Sequence, residues 1–145
     1  MATRTAHTTW NGGLQDGSGT VHLDSSGLTS FQVSFPRRAA DAAEGVTSPE
    51  ELIAAAHSSC FAMQFSAMLG EAGGSNTSME VRADVGFAPD PAGGFRIPSI
   101  HLTVRGRSDG VDEATFVKVA EAAKAGCPVS KALAATEITL DAAGA

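Results

Sequence analysis

Cysteine is scarce in this chain: Cys60 and Cys127 are the only two among 145 residues. Two thiols are too few for a thiolate-rich zinc site, and no His or Cys pair sits at zinc-finger spacing. A structural disulfide is disfavoured without a secretion signal, and a chain of this length can bury a core without staples. Basic residues are also short, 10 Lys and Arg against 16 Asp and Glu, for a net charge of -6. Such a surface repels a phosphate backbone, so no nucleic-acid partner is expected. The stretch from Met1 to His7 lacks an apolar h-region. No window is read as the run of about 18 apolar residues that a membrane span needs. The expectation is a soluble cytoplasmic protein forming one domain over residues 1–145, with no membrane partner.

What is present is 43% hydrophobic and 18% charged residues, a globular balance. Thr3 to Trp10, Thr20 to Leu23 and Phe31 to Phe35 read as short strands set off by Gly-, Asn-, Asp- and Ser-rich turns. Residues 36–48 read as a loop carrying Arg37 and Arg38. Ser48, Pro49 and Glu51 then make a helix start: an N-cap, a proline at N1 and a glutamate at N3. From Leu52 to Leu69 the run has no charged residue, which predicts a helix buried on nearly every side. Met79 to Phe87 and Ile97 to Arg107 alternate as strands. Gly110 to Gly126 holds a second helix with Asp112 as N-cap and Gly126 as a C′ stop. A short third helix begins at Pro128, and Glu137 to Asp141 is a last strand.

The two thiols are either inert packing residues or redox groups, and their contexts differ. With Pro128 at N1, Cys127 occupies an N-cap, where unpaired N–H groups favour the thiolate. The competing reading is a small residue that happens to cap a helix. Cys60 falls mid-helix, where burial raises a thiol's pKa. To react it needs a cation nearby. Arg37 and Arg38 precede the helix, and Glu50 at the helix start is placed to anchor one of them. Small neighbours, Ser58 and Ser59 beside Cys60 and Gly126 beside Cys127, allow another segment to come close.

The stretch Ser48-Pro49-Glu50-Glu51-Leu52-Ile53-Ala54-Ala55-Ala56-His57-Ser58-Ser59-Cys60-Phe61 resembles a signature of the osmotically inducible protein C family, sibling to the organic hydroperoxide resistance proteins. Ala125-Gly126-Cys127-Pro128-Val129-Ser130 resembles that family's second signature, and Glu137 to Leu140 its closing strand. The likeness runs from about Trp10 to Leu140, with Ser48 where Asn is usual. It implies an α+β fold in which antiparallel sheets wrap a long buried central helix, assembled as an intertwined homodimer. It implies a thiol peroxidase with no cofactor or metal. Cys60 attacks the peroxide O–O bond and becomes a sulfenic acid, Cys127 resolves it as a disulfide, and an external dithiol, of lipoyl type or another small dithiol, reduces that. Arg38, with Arg37 in reserve, is the activating arginine and Glu50 the residue that orients it. The family loop carries an aromatic where this chain has Ala39.

Helical geometry adds a constraint. Glu50 and Cys60 are ten residues apart, about 15 Å along a continuous helix and roughly 80° around it. A glutamate holding an arginine beside Cys60 is therefore expected from the other subunit. His57, one turn before Cys60, is read as structural or pocket-lining. Gln64, one turn after, is a hydrogen-bonding candidate toward substrate or partner. Phe61, with Phe35, Phe65, Phe87 and Phe95, is a candidate lining for an apolar peroxide channel. Two other functions compete: a general thiol–disulfide exchanger, weakened by the absence of a C-x-x-C motif, and a non-enzymatic binder of apolar ligands.

Overall fold

Short runs rich in Thr, Ser and Val, punctuated by turn residues, pair at the start of the chain into an antiparallel sheet. Its strands are β1 (His7–Asn11), β2 (Ser18–His22) and β3 (Ser30–Val33), in that order. The computed structural model describes all residues 1–145, in two compact units, residues 1–52 and 53–145. The β1–β2 turn demands glycine: a Cβ on Gly17 would lie 2.3 Å from the Gly13 carbonyl oxygen. Residues 36–48, expected as a loop, begin within a short helix instead, α1 (Phe35–Arg38), with Pro36 at its first turn. Four residues are too few to leave a periodic trace in sequence.

Helix α2 (Pro49–Glu71) starts at the end of the first unit and continues into the second. Ser48 caps it as expected, its Oγ accepting the Glu51 N–H at 3.2 Å. The helix ends where Gly73 turns left-handed at φ 89° and the Gly74 N–H reaches back to the Leu69 carbonyl at 2.8 Å.

In the second unit, β4 (Ser75–Val85) pairs antiparallel with β7 (Ser99–Asp109). Between them, β5 (Ala88–Pro89) and β6 (Phe95–Arg96) form a small hairpin across the expected turn, where Phe87 and Phe95 stack at 4.9 Å. Strand β8 (Glu137–Gly144) pairs parallel with β7, placing Ile138 beside Ile100 and Leu140 beside Leu102. This sheet is therefore mixed, a correction to the expected antiparallel one. The physical reason is the connection. Two helices, α3 (Glu113–Gly126) and α4 (Pro128–Ala132), lie between β7 and β8 and carry the chain back to the same end.

Asp112 caps α3, Oδ1 accepting the Thr115 N–H at 2.8 Å, as expected. Gly126 is not a C′ stop; it is the last helical residue. The helix is ended by Cys127, whose φ of -60° and ψ of 124° are extended. Pro128 forces this, because its ring excludes the helical conformation from the residue before it.

The core of the second unit joins Phe61, Phe65 and Leu69 of α2 to Leu102 and Val104 of β7, and to Phe116, Ala120, Ala123 and Cys127. Each large side chain here contributes about 1.5–3 kcal/mol by leaving water. The stripe His57, Phe61, Phe65, Leu69 follows helical spacing, and all four are fully buried. The rest of α2 is only partly covered in the single chain. Ala55, Ala56, Ser59, Met63, Ser66 and Ala67 are exposed in the single chain. By length and composition α2 also satisfies the requirement for a membrane span, contrary to the sequence expectation. Its packed stripe makes it a core helix of this fold.

Candidate functional site

The Cys127–Pro128 step does two things at once. It ends α3 and begins α4, so Cys127 is the C-cap of one helix and the N-cap of the next. Its side chain is fully buried. Burial pushes the Cys127 thiol up, but the Ser130 N–H, the neighbouring Cys60 thiol, the Ser130 hydroxyl and the Val129 N–H together bring it below the ordinary thiol range. The Cys127 sulfur makes no capping hydrogen bond to the first turn of α4.

Cys60 projects from mid-α2 and is half-buried. The two sulfurs stand 3.3 Å apart, both as free thiols. Burial raises the Cys60 thiol. The Val129 N–H lowers it in part, while the adjoining Cys127 raises it further. The fold thus brings together the two cysteines singled out in sequence and makes the resolving candidate, Cys127, the more acidic.

His57 is fully buried, with Nε2 hydrogen-bonded to Ser130 Oγ at 2.7 Å. Burial lowers its pKa below the ordinary value, so the ring is neutral. Its hydrogen bond to Ser130 ties α2 to α4. Ser130 escaped sequence analysis as a separate site residue. Its one signal was its place three after Cys127, in the first turn of α4. Phe61 is fully buried and packs on Phe65 at 5.6 Å. It is core. Gln64 lies against Gly126, where a Cβ would meet its Nε2 at 3.5 Å, placing an amide beside the Cys127 junction.

The first unit holds the expected ion pair. Glu50 is buried at the start of α2, and Arg38 at the end of α1 donates to it as a fork: Nε to both carboxylate oxygens at 3.1 Å and Nη2 to Oε1 at 2.6 Å. Arg37 pairs instead with exposed Glu44. Of the two arginines it is Arg38 that pairs with Glu50. The pair forms within one chain, so Glu50 holds Arg38 of its own subunit.

Two free thiols 3.3 Å apart in a mixed α and β fold are the feature against which relatives are compared. The family model described as OsmC-like protein matches residues 40–142. The curated relative Peroxiredoxin OsmC of Escherichia coli K12 is 46% identical over 132 residues, 91% of this chain and 90% of the relative. An organic hydroperoxide resistance protein from Elizabethkingia anophelis superposes with a TM-score of 0.80 at 28% identity, covering 100% of this chain and 98% of that one. The organic hydroperoxide resistance protein OhrB of Bacillus subtilis gives a TM-score of 0.74 at 28% identity, covering 95% and 97%. This chain belongs to the OsmC-like family.

Proposed function

We propose that the protein is a thiol peroxidase that reduces organic hydroperoxides, and hydrogen peroxide in the same way. The observation that carries this reading is the 3.3 Å approach of the Cys60 and Cys127 sulfurs as free thiols. The names of the relatives, a peroxiredoxin and two organic hydroperoxide resistance proteins, support it.

In this reading the Cys60 thiolate attacks one peroxide oxygen. The O–O bond breaks, the alcohol leaves with a proton, and Cys60 holds a sulfenic acid. Cys127 displaces the hydroxyl as water and closes a disulfide. A small dithiol, of lipoyl type or similar, restores both thiols and is itself oxidised. Cys60 is raised by its own surroundings, so its activation requires a cation. The Arg38–Glu50 pair is the candidate.

Glu50 and Cys60 are ten residues apart on α2, so the pair reaches a Cys60 most directly in a second copy of the chain. The uncharged exposed face of α2 supports a homodimer with residues 1–145 of each copy acting as one domain, in the cytoplasm. Gln64 is kept as a substrate contact.

The test is peroxide consumption with a dithiol reductant. Cys60→Ser is expected to abolish turnover. Cys127→Ser is expected to stop after one oxidation, with the sulfenic acid trappable by dimedone. Normal consumption by Cys60→Ser would refute the reading.

A further inference from the structure

His57 poses a problem of hydrogen-bond accounting. Its Nε2 is 2.7 Å from Ser130 Oγ, and its Nδ1 is buried with no partner. A neutral imidazole carries one proton, on one nitrogen or the other. If Nδ1 held it, a buried N–H would have no acceptor, a rare and costly state. Ser130 would then have to donate its only proton to Nε2. If Nε2 holds the proton, the unpartnered atom is merely a lone pair. Nε2–H then donates to Ser130 Oγ, and the serine proton is free for another acceptor. An acceptor at the same helix start is the Cys127 sulfur: Cys127 is the N-cap of α4 and Ser130 lies in the first turn it caps, and the Ser130 hydroxyl favours the sulfur's anionic form.

We propose that Ser130 and His57 are positioning residues for Cys127. The His57 Nε2–H fixes the rotor of the Ser130 hydroxyl so that its proton points at the Cys127 thiolate. This assignment rests on the peroxidase reading above and gives the two residues a defined step within it. His57 bonds Ser130, Ser130 sits in the first turn of the helix that Cys127 caps, and Cys127 stands against Cys60, all within one unit of the fold.

The consequence is a division between the two half-reactions. During resolution the Cys127 thiolate attacks Cys60 Sγ. The S–S bond forms, the S–O bond breaks, and the hydroxide leaves as water with a proton from solvent. Cys127 is thus needed as a thiolate within this step, and Ser130 holds it so. During recycling a thiolate of the dithiol reductant attacks the half-exposed sulfur, Cys60. The disulfide bond breaks and its electron pair passes to buried Cys127. The reductant's second thiol then displaces Cys60, leaving the reductant as its own disulfide. A stabilised thiolate is the better leaving group, so the same hydroxyl assists both steps. The attack of Cys60 on peroxide does not use Ser130.

The experiment separates these steps. Cys127→Ser protein is first mixed with one equivalent of cumene hydroperoxide. Formation of the Cys60 sulfenic acid tests the peroxidase reading, and its absence would end that reading and the inference with it. Disulfide formation after one equivalent of peroxide is then timed in otherwise wild-type protein and in Ser130→Ala. Resolution is expected to slow roughly 10- to 100-fold, the effect of removing one hydrogen bond to a charged group. Cys60 oxidation is expected to stay at the wild-type rate. Ser130→Thr, which keeps the hydroxyl, restores resolution to within a few-fold. His57→Leu slows resolution less than Ser130→Ala, and His57→Gln, with an amide N–H, recovers part of the loss. If Ser130→Ala resolves at the wild-type rate, or slows oxidation and resolution equally, the positioning role is wrong while the peroxidase reading stands.

Discussion

The sulfurs of Cys60 and Cys127 stand 3.3 Å apart although 67 positions separate them in sequence. Closing that gap to a bond links α2 to the α3–α4 junction across a long loop. In the unfolded chain such a link removes loop entropy worth about 4 kcal/mol. Oxidised protein is therefore expected to unfold at a urea concentration about 2 M above that of reduced protein. Parallel urea titrations with and without reductant would check this. Equal midpoints would mean that the native fold resists closure.

The Arg38–Glu50 fork predicts a sharp asymmetry between neighbouring arginines. Arg38→Ala strips a buried carboxylate of its donors, while Arg38 itself is about a third exposed. The expected cost is about 2 kcal/mol, below that of a fully buried pair. Peroxide oxidation of Cys60 should slow as well. Arg38→Lys keeps the charge without the planar fork, so it should recover stability better than rate. Arg37→Ala removes only an exposed pair and should stay within about 0.5 kcal/mol of wild type. Thermal melts and single-turnover kinetics on the three variants decide it. Matching losses for Arg37→Ala and Arg38→Ala would contradict the assignment.

Met63 tests the proposed dimer. It is 71% exposed in the single chain, on a face with Ala55, Ser59 and Ala67. Within one chain, Met63→Glu is a surface change worth less than about 0.5 kcal/mol. Across a dimer interface it buries an unpaired charge. The variant is expected to sediment as a folded monomer with little peroxidase turnover. A fully active monomer would remove the case for a site shared between subunits.

The parts of this molecule legible in sequence are those set by local chemistry. Ser48, Pro49 and Glu51 mark the start of α2, and Asp112 marks α3, because a cap is written in adjacent residues. Ile100, Leu102 and Val104 alternate, so β7 is visible. The α2 signature and Cys127-Pro128 point to the site through family resemblance. What stays hidden is set by distant residues. The parallel partnering of β8 depends on the crossover, and α1 is too short for a period. The apolar face of α2 looks uniformly buried because sequence does not distinguish core from an open face that awaits cover. Phe61 reads as well for a channel as for a core, and its packing on Phe65 is set by the fold, not by neighbours in sequence. The bond between His57 and Ser130 spans 73 positions, and no local signal announces it.

That buried histidine also sets an expected pH dependence of stability. Burial depresses the His57 pKa in the folded state, while in the unfolded chain it stays near 6.5. Below that value the unfolded chain binds a proton that the folded protein refuses. The contribution of neutral His57 is therefore complete above about pH 6.5 and is lost progressively as pH falls below it, toward the lower folded value. Asp112 and Asp141, also lowered, weaken the fold only in the carboxylate range, at lower pH. Urea midpoints of reduced protein at pH 7.5, 6.5 and 5.5 should accordingly fall with acidification in wild type. His57→Gln, which has no proton to take up, should lose less over the same interval. The other histidines are common to both proteins and cancel in the difference. Identical pH slopes in the two proteins would show that His57 does not remain neutral in the folded state.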